Sequence, residues 1–179
     1  EPNLLTDEII EFTATSKKFM PHFHIPLQSG SDEILKSMRR RYNTEFYSNR
    51  VKKIKSIMPD VCIGVDVIVG FPGESDAQFK KTYDILDSLD ISYLHVFSYS
   101  KRDNTDAINI DEKIPKEIIS ERSKILHHLS VQKKSHFYEK NIGSVKQVLI
   151  ENYEEGFLFG YSENYIAVRI SGSPKDVNE

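Results

Sequence analysis

The residues best suited to chemistry fall in three short stretches. They are His24-Ile25-Pro26-Leu27-Gln28-Ser29-Gly30-Ser31-Asp32, then Met38-Arg39-Arg40-Arg41-Tyr42, then Asp66 within the run Val61–Val69. An amide, hydroxyls, backbone N–H groups and a guanidinium would stand at the rim of an α/β sheet, where such folds bind ligands; a capping turn at Gln28-Ser29 and a solvated helix end at Arg39-Arg40-Arg41 are the other readings. Asp66 is the one charge in Val61-Cys62-Ile63-Gly64-Val65-Asp66-Val67-Ile68-Val69. A buried carboxylate is costly unless it is paired or hydrogen-bonded. It serves either a polar group on a neighbouring strand or a ligand's sugar or amine. Gly70-Phe71-Pro72-Gly73-Glu74 follows directly. Glycines there let backbone approach a ligand, and the next helix start favours anions. An ordinary βα turn is the other reading, because the Walker lysine and the dinucleotide spacing are absent.

His22 and His24 share one side of a short strand. That spacing can ligate a metal, but no carboxylate or cysteine cluster accompanies it, so no metal site is expected. Cys62 reads as a small buried hydrophobe. No nucleophile–base pairing of the Ser–His–Asp kind is present. Tyr99-Ser100-Lys101-Arg102-Asp103-Asn104-Thr105-Asp106-Ala107 mixes an aromatic ring, cations and polar side chains. Tyr99, Lys101 and Arg102 would suit single-stranded RNA, where bases stack and phosphates pair with cations. A plain solvated loop is the alternative.

The elements that must position these residues alternate in type. A helix is expected over 4–19, capped by Thr6, and a strand over 23–27. Ser31 would cap a second helix whose last turn carries the three arginines, and Thr44 a third that Pro59 ends. Val61–Val69 reads as a strand covered on both faces. Ser75 and Gln78 form a capping box, and Tyr93–Tyr99 is a third strand. Pro115 opens a long helix whose stripe is Ile118, Arg122, Ile125, Leu129, Gln132 and His136. Strands then follow at Val145–Ile150, Phe157–Tyr161 and Tyr165–Ile170. The change of period near residue 140 marks the expected domain boundary.

The 179 residues suffice for one domain and a small appendage. An apolar share of 39% and a charged share of 28% are those of a water-soluble globular chain. A net charge of -3 excludes a broadly basic nucleic-acid binder, though local patches stay possible. No run is long and apolar enough to span a membrane, and cytoplasmic residence is the default expectation. One cysteine cannot form a disulfide or a cysteine cage within the chain. Three strand–helix units are too few to close a barrel, which points to a piece of a longer protein.

In this order, Pro21–Asp32, Met38–Tyr42, Asp66–Glu74 with Phe79, and Phe97–Ala107 resemble the methylthiotransferases. These are radical S-adenosylmethionine enzymes that place a methylthio group on tRNA adenosines. Glu1-Pro2 fits the tail of a preceding barrel strand. His24–Asp32, Arg102 and Gly160–Ile166 look like the branch that modifies N6-threonylcarbamoyladenosine beside the anticodon; the isopentenyladenosine branch is the nearest alternative.

The resemblance implies an α/β fold: the C-terminal half of a radical-SAM partial (β/α) barrel over 1–140. The start of an all-β TRAM-like RNA-binding domain would occupy 141–179. It implies that Gln28, Arg40 and Asp66 hold S-adenosylmethionine, with Gly70 and Gly73 letting backbone approach its adenine. It implies a tRNA partner and a radical that takes hydrogen from the adenine C2. The family's 4Fe–4S clusters are held by cysteine motifs that this chain lacks, so they would be ligated outside it, and the chain alone should be inactive. Two other readings remain: an RNA-binding module without chemistry, and an unrelated barrel enzyme using Gly70–Glu74 for phosphate.

Overall fold

The computed structural model describes residues 1–101, 110 and 112–178. Arg102 and the rest of the loop to Ala107 lie outside the described residues. The chain runs through a 3-10 turn at Pro2–Leu4, α1 (Asp7–Thr15), β1 (His22–His24), α2 (Asp32–Ser37) and α3 (Thr44–Ile57). It continues with β2 (Cys62–Val69), α4 (Asp76–Ser88), β3 (Tyr93–Ser98) and α5 (Lys116–Lys140). A second sheet is built from β4 (Val148–Glu154), β5 (Phe157–Ser162) and β6 (Ala167–Ser171).

The first sheet has the order β1-β2-β3 and is parallel throughout. Its two faces differ. Ile63, Val65, Val67 and Val69 of β2 point to a core shared with Val51 and Ile54 of α3, Leu86 of α4, and Leu126 and Leu129 of α5. The opposite face carries His22, His24, Gly64, Asp66, Tyr93 and His95, because side chains alternate along each strand. β2 is therefore not covered alike on both faces: burial relaxes at Asp66 and Ile68, where the polar face opens. Gly64 leaves room on that face for the Tyr93 ring; a Cβ there would sit 2.4 Å from it.

Local chemistry sets the helix ends. Thr6 caps α1 through the Ile9 amide, but the helix stops at Thr15 rather than reaching 19. The Ser16 hydroxyl takes the amides of Lys18 and Phe19 and offers the chain an alternative to the helix. Asn43, not Thr44, caps α3, accepting from the Phe46 amide. The Thr44 N–H is used by Asp32. The capping box of Ser75 and Gln78 is present.

The arginines do not lie in the last turn of α2. That helix ends at Ser37, and Arg39 adopts φ 57°. The Arg39 amide donates to the Lys36 carbonyl and the Arg40 amide to that of Leu35, the two bonds of a Schellman cap. α5 buries Arg122 and Leu129 of the expected stripe, but Leu126 and Phe137 are buried where Ile125 and His136 were expected, and Ile125 is exposed.

The second sheet is antiparallel, order β4-β5-β6. Its first hairpin turns at Glu155 and Gly156, both with positive φ, as a tight two-residue turn requires. The two sheets meet at the turn after β5. Asn164, fully buried, donates to the Asp60 carbonyl and to Asn141 Oδ1 and accepts from Ser162. Tyr165, at φ 65°, stacks flat on His22 at 4.1 Å.

Candidate active site at the carboxyl ends of the parallel strands

Gln28, Asp66, the Gly70–Glu74 loop and Tyr99 all lie at or near the carboxyl-terminal edge of the first sheet, where open α/β sheets bind ligands. β1 passes into this edge through a bulge. The amides of Leu27 and Gln28 both donate to the Asp66 carbonyl, and the Gln28 carbonyl accepts from Ile68. Gln28 consequently sits at φ 69°, half-buried, and its side-chain amide has no hydrogen-bond partner among the described residues. Positive φ at a residue other than glycine is the kind of strain that clusters at functional sites.

Two tyrosines fix this segment from beneath. Tyr47 Oη donates to the Ile25 carbonyl at 2.8 Å, and Tyr42 Oη to those of Leu27 and Pro26 at 3.0 and 3.2 Å. Burial pushes the Tyr42 phenol up to about 12 and the Tyr47 phenol well above its usual range, so both remain donors. Ser29-Gly30 docks on α4: the Gly30 amide donates to Thr82 Oγ1, and a Cβ on Gly30 would lie 2.5 Å from the Thr82 Cα. The Ser31 hydroxyl donates to Glu33 instead of capping α2.

Asp66 is partly exposed on the polar face. Its Oδ1 lies 2.8 Å from His24 Nε2. A carboxylate can only accept, so that nitrogen carries the proton. The rings of His24 and His95 are 5.2 Å apart, those of His95 and Tyr93 5.2 Å, and the Tyr93 hydroxyl meets His22 Nε2 at 3.0 Å. His22 and His24 are thus engaged with Tyr93 and Asp66, and no group of three metal-ligating residues occurs among the described residues.

Arg40 Nη1 pairs with Glu1 at 2.9 Å, and its buried Nε has no partner among the described residues. Gly70 and Gly73 both hold positive φ. The Gly70 amide donates to Glu74 Oε2, and Ile119 fills the space beside its Cα. Glu74 is fully buried and meets Arg122 Nη1 at 2.7 Å, while Arg122 Nη2 reaches Asp76. Burial raises the Glu74 carboxyl even against the Gly70 amide and the Arg122 charge.

At β3, Phe71 and Tyr99 pack edge to face at 5.4 Å, and the buried Tyr99 Oη has no partner among the described residues. Tyr99 borders a groove of about 590 Å³ whose described lining includes Lys116, Ser120, Ser123, Lys124 and His127 and no carboxylate. Lys101 is exposed.

Sequence reasoning missed three features. The Glu74–Arg122 pair was signalled by an arginine inside an apolar stripe. The two tyrosine hydroxyls were hidden among helix-face residues. The His24–Asp66 bond needed the strand pairing that places them on one face.

Residues 2–86 match the model of the radical SAM superfamily. The chain is 38% identical to the threonylcarbamoyladenosine tRNA methylthiotransferase MtaB of Bacillus subtilis over 178 residues, which is 97% of this chain and 40% of that protein. It is 42% identical to the Aquifex aeolicus MtaB over 165 residues, 92% of the chain and 39% of that protein. Over nearly its whole length the chain is similar to methylthiotransferases, and its first half to the radical SAM superfamily. It is also 38% identical to a tRNA-2-methylthio-N(6)-dimethylallyladenosine synthase of Wolinella succinogenes over 176 residues, 96% of the chain and 40% of that protein. The chain spans about 40% of the length of these curated relatives. Its parallel sheet with helices on one face is part of the radical-SAM partial (β/α) barrel.

The likeness implies two cofactors, an iron–sulfur cluster and S-adenosylmethionine. The cluster does not fit the residues present: the single cysteine, Cys62, is buried in β2 with its thiol pushed up to about 11 by desolvation. S-adenosylmethionine does fit. Among the described residues neither the Gln28 side-chain amide nor the buried Arg40 Nε has a hydrogen-bond partner, and Asp66 has one oxygen fixed and the other without a partner.

Proposed function

We propose that this chain is the C-terminal part of a tRNA methylthiotransferase acting on N6-threonylcarbamoyladenosine beside the anticodon. Residues 1–140 form the later part of its barrel, and 141–179 the start of a TRAM-like domain that contacts tRNA. Its place of work is the cytoplasm. The observation that carries the reading is the likeness to methylthiotransferases along nearly the whole chain, with Gln28 bonded to the Asp66 backbone at the strand ends.

Gln28 and Asp66 hydrogen-bond the ribose or amino group of S-adenosylmethionine, and Arg40 pairs its carboxylate in place of Glu1. The loop holding Gly70 and Gly73 brings backbone to the adenine, stiffened by the Glu74–Arg122 pair. S-adenosylmethionine, with a 4Fe–4S cluster ligated outside this chain, supplies the radical chemistry that gives the family its name. Tyr99, Lys101 and Arg102 would contact the RNA; the described lining of the groove beside Tyr99, with Lys116, Lys124 and hydroxyls but no carboxylate, supports this, since phosphates need cations and hydroxyl donors.

The dimethylallyladenosine branch is the second reading, favoured by the equal identity of the Wolinella protein. Nucleoside mass spectrometry decides between them. The full-length enzyme, expressed in cells lacking both activities, should yield 2-methylthio-N6-threonylcarbamoyladenosine. Methylthiolation of isopentenyladenosine instead would establish the second reading, and neither product would dismiss both.

A further inference from the structure

The polar face of the parallel sheet carries a connected set of side chains, of which only Asp66 is among the proposed cofactor contacts. His24 on β1, Asp66 on β2 and His95 on β3 occupy neighbouring strands; Asp66 and His95 are register partners. His24 Nε2 holds Asp66 Oδ1 at 2.8 Å, the His95 ring lies 5.2 Å from that of His24, and Tyr93 abuts His95 edge to face. The His24 side chain is 38% exposed and that of Asp66 25%, so neither is buried deeply enough for the pair to be explained as core satisfaction. An aspartate with two free oxygens turns about its side-chain bonds. With Oδ1 tied down it presents Oδ2 in one direction.

We propose that His24 is a positioning residue for cofactor binding: by donating from Nε2 to Oδ1, it holds Asp66 with Oδ2 turned to the donor groups of S-adenosylmethionine. His95, packed against the imidazole, restricts the tilt of that ring. The inference rests on the reading that Asp66 binds the cofactor and adds a residue that touches the carboxylate, not the ligand. A charge-assisted hydrogen bond of this kind is the strong class, and its loss from an otherwise mobile carboxylate is expected to weaken binding about tenfold or more.

Substitution by amides separates positioning from bulk. The Nε2 of glutamine reaches the place of the imidazole Nε2, whereas the amide of asparagine falls short, near Nδ1. The test measures S-adenosylmethionine affinity by equilibrium dialysis on the full-length enzyme, with thermal melting as a check on folding. His24→Gln should bind within about threefold of wild type, while His24→Asn and His24→Ala should lose about tenfold or more with melting unchanged. Equal affinity in all three variants overturns the proposal, as does His24→Gln falling as far as His24→Ala. Asp66→Ala is the control. If it weakens binding and the His24 variants do not, only the positioning role fails; if it leaves binding unchanged, the cofactor reading falls and the His24 role with it.

Discussion

At the scale of the residue, the chain keeps its charges in pairs. Arg122 and Glu74 are both buried, and Glu74 Oε1 and Arg122 Nε still lack partners. Such a pair adds little net stability, yet breaking it is expensive, because the surviving charge stays buried. Arg122→Ala should therefore cost about 3–5 kcal/mol in urea unfolding, and Glu74→Gln combined with Arg122→Met distinctly less. His22 gives a pH dependence. Desolvation, then the nearby charge of His24, lowers its pKa below 6.5. A base whose folded pKa is depressed stabilises the fold above its unfolded pKa, and that contribution is lost as pH falls through the folded value. Wild type should lose stability as pH drops below 6.5; His22→Gln should flatten that decline in thermal melts taken across the range. Asp66 was legible as a lone charge in an apolar run, though the structure leaves it partly exposed and not buried. Its partner was not, because His24 lies 42 positions away and only strand pairing brings the two together.

At the scale of the element, β2, α4 and the long α5 follow directly from periodicity and capping. The ends of α1 and α2 do not. Each is decided by competition for single amides: the Ser16 hydroxyl against the next helical turn, and Arg39 entering the left-handed region. The stripe of α5 was misplaced because Ile119, Lys133 and Phe137 turn inward where the sequence offers Ile118, Gln132 and His136 as equal candidates. The Gln28 bulge was invisible, since no residue type marks it. Gly30 was legible only as part of a turn, yet close approach to α4 is what demands it. Gly30→Ala should cost about 1–3 kcal/mol through the clash with the Thr82 backbone. Thr82→Val, which strands the buried Gly30 amide, should cost a similar ~1–3 kcal/mol; denaturant titration measures both.

At the scale of the whole molecule, the switch from α/β to all-β near residue 140 was readable, and the mode of contact between the two sheets was not. Asn164 and Tyr165 stand in a turn whose composition gives no hint that one is fully buried and the other stacks on a distant histidine. Asn164→Ala should loosen β4–β6 from the parallel sheet, seen as faster amide exchange in residues 148–171 with little change in β2. Unchanged exchange there would place the hold elsewhere, in Lys146–Asp60 or the Tyr165 stack.

The central claim is that the carboxyl ends of β1 and β2 cradle S-adenosylmethionine. Hydrogen–deuterium exchange on the full-length enzyme, with and without that ligand, tests it most directly. The account predicts slower exchange in residues 26–30 and 66–74 on ligand addition, with β4–β6 unaffected. Saturating S-adenosylmethionine that leaves both segments exchanging as before would contradict it.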